Sequence, residues 1–167
     1  MTLKQLIAAI LLVAATASPV LAQEPARLIL GSGVTGFARH NDHVRETAEY
    51  LSFEYRSTND LFGPLRLLAG GFATTNGAAY VHAGLYYDFN LAPRWILTPH
   101  FSAGAFTRRD GMDLGDALEF QTGLDLFYRL VNGWRVGATL RHVSNAGLAK
   151  INPGTENLGI VLAVPFR

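Results

Sequence analysis

Cysteine is absent from this chain of 167 residues. That excludes a disulfide scaffold, a thiolate zinc site and a cysteine nucleophile. Charge is scarce as well: Asp, Glu, Lys and Arg make up 16% of the residues, against roughly 25% in an ordinary soluble domain. Lysine is almost missing, with only Lys4 and Lys150. No excess of one sign is present, since 14 basic side chains face 13 acidic ones. A nucleic-acid binder would be strongly basic, so nucleic acid is not an expected partner. Long hydrophobic runs are lacking too. The longest, Leu6 to Ala17, falls short of the roughly 18 apolar residues a spanning helix needs. A helical membrane protein is thereby excluded; a membrane barrel is not.

What is present begins with residues 1–22, which read as a secretory signal peptide. Lys4 is its charged start, Leu6 to Ala17 its apolar core and Val20-Leu21-Ala22 its small-residue cleavage site. Residues 23–167 then form one domain, with equal numbers of acidic and basic groups once Lys4 is gone.

Past Ala22 the hydrophobic period is two. Leu118-Glu119-Phe120-Gln121-Thr122-Gly123-Leu124-Asp125-Leu126 and Trp134-Arg135-Val136-Gly137-Ala138-Thr139-Leu140-Arg141 alternate, as does Leu51-Ser52-Phe53-Glu54-Tyr55-Arg56. Such alternation marks strands with two unlike faces. Eight strands are expected, near 28–37, 47–58, 64–74, 78–89, 94–107, 117–130, 133–144 and 157–166. Turn signals separate them, among them Thr58-Asn59-Asp60, Thr75-Asn76-Gly77, Asn132-Gly133 and Asn152-Pro153-Gly154. Longer polar connections alternate with tight ones, the pattern of outer-membrane barrels. The fold class is therefore an all-β, eight-stranded antiparallel transmembrane β-barrel in the bacterial outer membrane. The apolar parity would face lipid. The other parity carries Glu54, Arg56, Arg66, His82, Asp88, His100, Glu119, Gln121, Asp125, Arg129, Arg135 and Arg141, charges of both signs that suit an ion-paired interior rather than an open channel. Tyr55, Tyr87, Phe89, Trp95, Tyr128, Trp134 and Phe166 lie near strand ends, where interfacial girdles form.

One stretch breaks the rule of the greasy face. Trp134, Val136, Ala138 and Leu140 are even-numbered and lipid-facing, and the next even positions are His142 and Ser144. Residues two apart share a strand face, about 6.6–6.8 Å from each other. Glu156 precedes the next strand in the phase of Leu158, Ile160 and Leu162, so an antiparallel neighbour returns it beside His142. Serine is a weak nucleophile that needs an adjacent base. His142 suits that base, and Glu156 suits the group that orients it. The following turn, Asn145-Ala146-Gly147, and Asn152 offer donors for an oxyanion. A polar trio at a barrel rim has a plainer reading, as surface residues above the hydrocarbon. His82 and His100 are read as interior hydrogen-bonding groups.

The segment Arg141-His142-Val143-Ser144-Asn145-Ala146-Gly147-Leu148, followed by Asn152-Pro153-Gly154-Thr155-Glu156-Asn157, resembles the signature of the lipid A 3-O-deacylases of the PagL type. The resemblance implies an eight-stranded outer-membrane esterase that needs no cofactor or metal. Its substrate would be lipid A of lipopolysaccharide, from which it removes the 3-hydroxyacyl chain at position 3. It assigns a catalytic triad to His142, Ser144 and Glu156, and associates Asn145, Gly147 and Asn152 with the oxyanion hole. Outer-membrane lipid would surround the barrel, a homodimer is allowed, and basic rim residues Arg39, Arg45, Arg108, Arg109 and Lys150 are candidates to meet lipid A phosphates. Three other readings compete: a calcium-dependent outer-membrane phospholipase, which would be longer and pair its His with Asn; a palmitoyl transferase barrel, which would need a less ionised interior; and a non-enzymatic structural barrel. One departure stands at the chain end, where Phe166 is followed by Arg167 rather than closing the sequence.

Overall fold

The computed structural model describes residues 24–37 and 47–166. Residues 1–22, read from the sequence as a signal peptide, and Arg39, Arg45 and Arg167 lie outside the described residues. Alternating side chains drive the chain into strands throughout: β1 (Ala26–Thr35), β2 (Ala48–Phe62), β3 (Leu65–Thr74), β4 (Ala79–Tyr86), the two-residue β5 (Phe89–Asn90), β6 (Trp95–Thr107), β7 (Leu118–Arg129), β8 (Arg135–Ser144) and β9 (Thr155–Phe166). All pairings are antiparallel. Apart from β4 and β5, which do not pair with each other, each strand pairs with its sequence neighbours, and β1 pairs with β9, which closes the sheet. β4 and β5 both pair with β6 and together form one stave, so the barrel has eight. Closure removes the sheet edges, the condition for strands to cross a bilayer.

Three boundaries depart from the sequence expectation. The expected strand 78–89 is interrupted at Tyr87 and Asp88. Pro99 lies opposite and has no N–H to offer, so only the Tyr87 N–H to Pro99 carbonyl bond (3.2 Å) remains of that rung. Thr58-Asn59-Asp60 is not a turn. β2 runs on through register shifts between Arg56 and Asp60 and between Asp60 and Phe62, and the chain reverses at Gly63, whose φ of 55° suits a residue without a Cβ. Finally, β9 starts at Thr155, which places Glu156 inside the ladder rather than before it.

The expected parity holds. Outward-facing Leu51, Phe53, Leu124, Leu126, Val136, Leu140, Leu158 and Ile160 are exposed to the surroundings of the barrel, while Glu54, Arg56, Asp125, Arg135 and Arg141 are buried inside it. Burying these charges is tolerable because they are paired. Arg56 bridges Glu54 (2.7 Å) and Asp125 (2.5 Å) across the lumen. Nearer the short-turn rim, Arg135 meets Asp88 (2.8 Å) and Glu24 (3.0 Å). The interior is not uniformly polar. Ile29, Ile96, Phe127, Val161 and Ala163 form one apolar layer, and Tyr50, Phe72, Tyr80, Leu114 and Val143 form another. Charged and apolar layers together plug the lumen.

The two rims differ. The connections 63–64, 91–94 and 130–134 are short and share a rim with both chain ends of the barrel. The named aromatics gather there, paired as Tyr55 with Phe166, Tyr87 with Phe89 and Trp95 with Tyr128. The longer connections 108–117 and 145–154 lie at the opposite rim.

Candidate active site

The long-loop end of β7, β8 and β9 carries the polar interruption of the lipid-facing surface. On β7, Phe120, Thr122 and Leu124 face outward. On β8, Leu140, His142 and Ser144 face outward. Register places Thr122 and Glu156 on either side of His142, and Phe120 beside Ser144. Cross-strand partners have Cβ atoms roughly 4.5–5.5 Å apart, so neighbouring side chains meet. They do: His142 Nδ1 lies 3.2 Å from Glu156 Oε1, with the two side chains 41% and 20% exposed. The pair is thus reachable from outside, and Glu156 has no lysine or arginine within ion-pair distance among the described residues. Ser144 stands two residues further along the same face. Thr122, Gly123, Leu124, Leu140, Arg141, His142 and Glu156 line a shallow recess in the barrel wall. Apolar Leu124 and Leu140 bound it on the membrane side.

The connection 145–154 sits above this recess and is tied by Asn145, which is fully buried. Its side-chain amide donates to the carbonyls of Leu114 (2.8 Å) and Ile151 (2.8 Å). Its side-chain oxygen accepts from the Gly147 N–H at 3.0 Å. Both of its ends, and the Gly147 N–H, are therefore spent on holding the loop. Asn152 is different: its side-chain oxygen accepts from the Asn145 N–H (3.1 Å), its side chain is exposed, and its amide nitrogen donates to no other described residue. Ala146 and Gly147 turn the chain with φ of 57° and 80°.

One residue at the site is, from sequence alone, simply a turn former. Gly154 has φ of 66°, and a Cβ built on it would stand 2.8 Å from His142 Cε1. Its bare backbone therefore lies flat against the imidazole. The positive-φ turn signal Asn-Pro-Gly was visible in the sequence; the contact across to β8 was not. Of the basic residues considered for phosphate, Arg108 is paired with Asp113 (2.7 Å) in the open, and Arg109 and Lys150 are exposed. His82 and His100 are buried in the lumen, as expected.

A closed eight-stranded barrel with an apolar exterior and this polar notch belongs among outer-membrane barrels, and comparison with solved structures agrees. The crystal structure of the outer membrane enzyme PagL matches with a TM-score of 0.62 at 22% identity, covering 84% of this chain and 99% of that one. Neisserial surface protein A matches with a TM-score of 0.59 at 11% identity, covering 84% and 97%. At such identities these likenesses establish the fold. Comparison with curated protein sequences gives no match. The family model described as "Lipid A 3-O-deacylase (PagL)" matches residues 46–165, and the chain belongs to that family. It is accordingly an outer-membrane carboxylic ester hydrolase of the lipid A deacylase class.

Proposed function

We propose that this barrel is a serine esterase that cleaves the ester at position 3 of lipid A, with Ser144, His142 and Glu156 as its triad. Residues 1–22 serve as its export signal, removed after Ala22. The observation that carries the reading is the outward His142–Glu156 pair at 3.2 Å with Ser144 next on the same strand face.

In this mechanism Ser144 Oγ attacks the ester carbonyl as His142 takes its proton. Glu156 holds Nδ1–H, fixes the tautomer and stabilises the imidazolium. The negative charge that develops on the carbonyl oxygen needs a donor already in place. Asn145 and Gly147 are engaged within their own loop, which leaves the Asn152 amide as the best-placed side-chain donor. Collapse expels the sugar oxygen, protonated by His142. Water, activated by the same imidazole, then releases the 3-hydroxy fatty acid and restores Ser144. A site on the lipid-facing wall receives its substrate laterally from the outer leaflet. All the candidate groups come from one chain, so the chemistry does not call on a second copy.

The test is mass spectrometry of lipid A from cells expressing the wild-type chain or Ser144→Ala, with folding checked by heat-modifiable gel mobility. Loss of one 3-hydroxyacyl group in the wild type alone is expected. Full deacylation by folded Ser144→Ala would overturn the mechanism.

A further inference from the structure

The outward face of β7 reads Leu118, Phe120, Thr122, Leu124, Leu126 and Tyr128. Tyr128 is at the aromatic rim, so Thr122 is the single hydroxyl in the apolar body of that face. Its side chain makes no hydrogen bond to another described residue, though a hydroxyl turned toward hydrocarbon without a partner is unfavourable. Its position is specific. It is the direct cross-strand partner of His142 and lines the same recess as His142 and Glu156. Below it in the register come Leu124 opposite Leu140 and Leu126 opposite Ala138, all apolar.

We propose that Thr122 recognises the 3-hydroxyl of the acyl chain, making the enzyme selective for 3-hydroxyacyl esters over plain acyl esters. The inference rests on Ser144 being the nucleophile. With the carbonyl at Ser144, the chain must run toward the membrane along the β7–β8 wall. It first passes the level of Thr122 and His142, about two residues or 6.6–6.8 Å from Ser144 along the strand. A 3-hydroxyl, two carbons beyond the carbonyl, arrives between these levels with Thr122 at its side. The rest of the chain continues over Leu124, Leu140, Leu126 and Ala138, which present nothing polar to it. Thr122 is thus a specificity residue and takes no part in bond making.

The experiment uses the folded full-length mature barrel in detergent and two glucosamine-based esters of equal chain length, one 3-hydroxyacyl and one unsubstituted. The ratio of their kcat/KM values is measured for the wild type, Thr122→Val and Thr122→Ser. A single neutral hydrogen bond is worth about 3- to 10-fold. The wild type is expected to favour the hydroxyacyl ester by at least that factor. Thr122→Val, which keeps the shape and removes the hydroxyl, should bring the ratio close to one; Thr122→Ser should keep most of the preference. A wild type without preference, or a Thr122→Val ratio equal to that of the wild type, overturns the proposal. Ser144→Ala run alongside separates the two levels of inference. If it hydrolyses both esters at wild-type rates, the reading of the site fails; if it is inactive while Thr122→Val keeps the preference, only the role of Thr122 fails.

Discussion

Among the described residues there are three histidine–carboxylate pairs, and one of them opens onto the lipid-facing wall. His82 with Glu54 and His100 with Asp125 lie in the lumen, with nitrogen–oxygen separations of 3.9 and 3.6 Å. His142 with Glu156 lies on the outer wall at 3.2 Å. The inner carboxylates already face guanidinium groups: Glu54 is near Arg56 and Arg141, and Asp125 is near Arg56. Their charge is committed to holding staves together. Glu156 has no such cation among the described residues, and its partner ring is open to the outside next to Ser144. A histidine beside a carboxylate is therefore not a site in itself. On the proposed mechanism, access for a substrate and a serine on the same face make the difference.

The sharpest way to break this comparison is to make the same substitution in both places. His142→Asn should lower kcat by about 10²–10⁴-fold, the contribution of a positioned general base, while unfolding in denaturant stays near that of the wild type. His100→Asn should do the reverse, leaving kcat per folded molecule nearly unchanged and shifting the unfolding midpoint. Equal losses of activity in the two variants would mean that the interior pair takes part in catalysis.

The two asparagines of the 145–154 connection allow a similar contrast. Asn152→Ala should cost about 10²–10³-fold in kcat, the loss seen when one oxyanion donor is removed, with little change in KM. Asn145→Ala leaves the carbonyls of Leu114 and Ile151 without their donor. It should cost about 1–3 kcal/mol of stability, read from urea unfolding, and lower activity only as the loop loosens. A large kcat loss in folded Asn145→Ala with Asn152→Ala unaffected would exchange the two roles.

Both histidine classes also rest on glycines. A Cβ on Gly154 would stand 2.8 Å from His142 Cε1, and one on Gly123 would stand 2.1 Å from His100 Cε1. Gly154→Ala should push the imidazole away from Ser144 and lower kcat by up to about 10²-fold, as small misplacements of catalytic groups do. Gly123→Ala should instead weaken the barrel and spare kcat per folded molecule. Measuring the two together separates ring placement from general loss of packing.

Much of this is legible in the amino-acid sequence. Period-two alternation gave the eight staves and the facing of nearly every charged residue, because a strand face repeats every two residues whatever its partners are. The same arithmetic put His142, Ser144 and Glu156 on one face. It failed where a neighbour decides the outcome. The break at Tyr87 and Asp88 is imposed by Pro99 on another strand. Asp60 belongs to a bulged β2 although its local sequence reads as a turn. The Arg56–Asp125 pair joins residues 69 positions apart. The placement of Gly154 against His142, and of Thr122 beside it, depends on register between strands, which alternation alone does not fix. Asn145 and Asn152 look alike in sequence; only burial and hydrogen bonds tell the buried brace from the exposed side chain.

The smallest effect concerns a carboxylate that belongs to neither histidine class. Glu24, just before β1 at the short-turn rim, meets Arg27 (2.9 Å), Arg129 (2.5 Å) and Arg135 (3.0 Å). Partial burial works to raise its pKa, but Arg135, the hydrogen bond from Arg27 and the charge of Arg129 outweigh it, so the carboxyl sits below its ordinary value. A group depressed in the folded state contributes stability above its unfolded value of about 4.3. That contribution is lost as pH falls through the lower folded value. The unfolding midpoint of the wild type should therefore exceed that of Glu24→Gln at pH 7, and the gap should close on acidification below about pH 4. Activity per folded molecule at pH 7 should be the same in both, since Glu24 is at the rim opposite Ser144. A gap that persists unchanged to pH 2 would show that Glu24 acts through packing and hydrogen bonding rather than through charge. It would then resemble the neutral brace of Asn145 more than the ion pairs of the lumen.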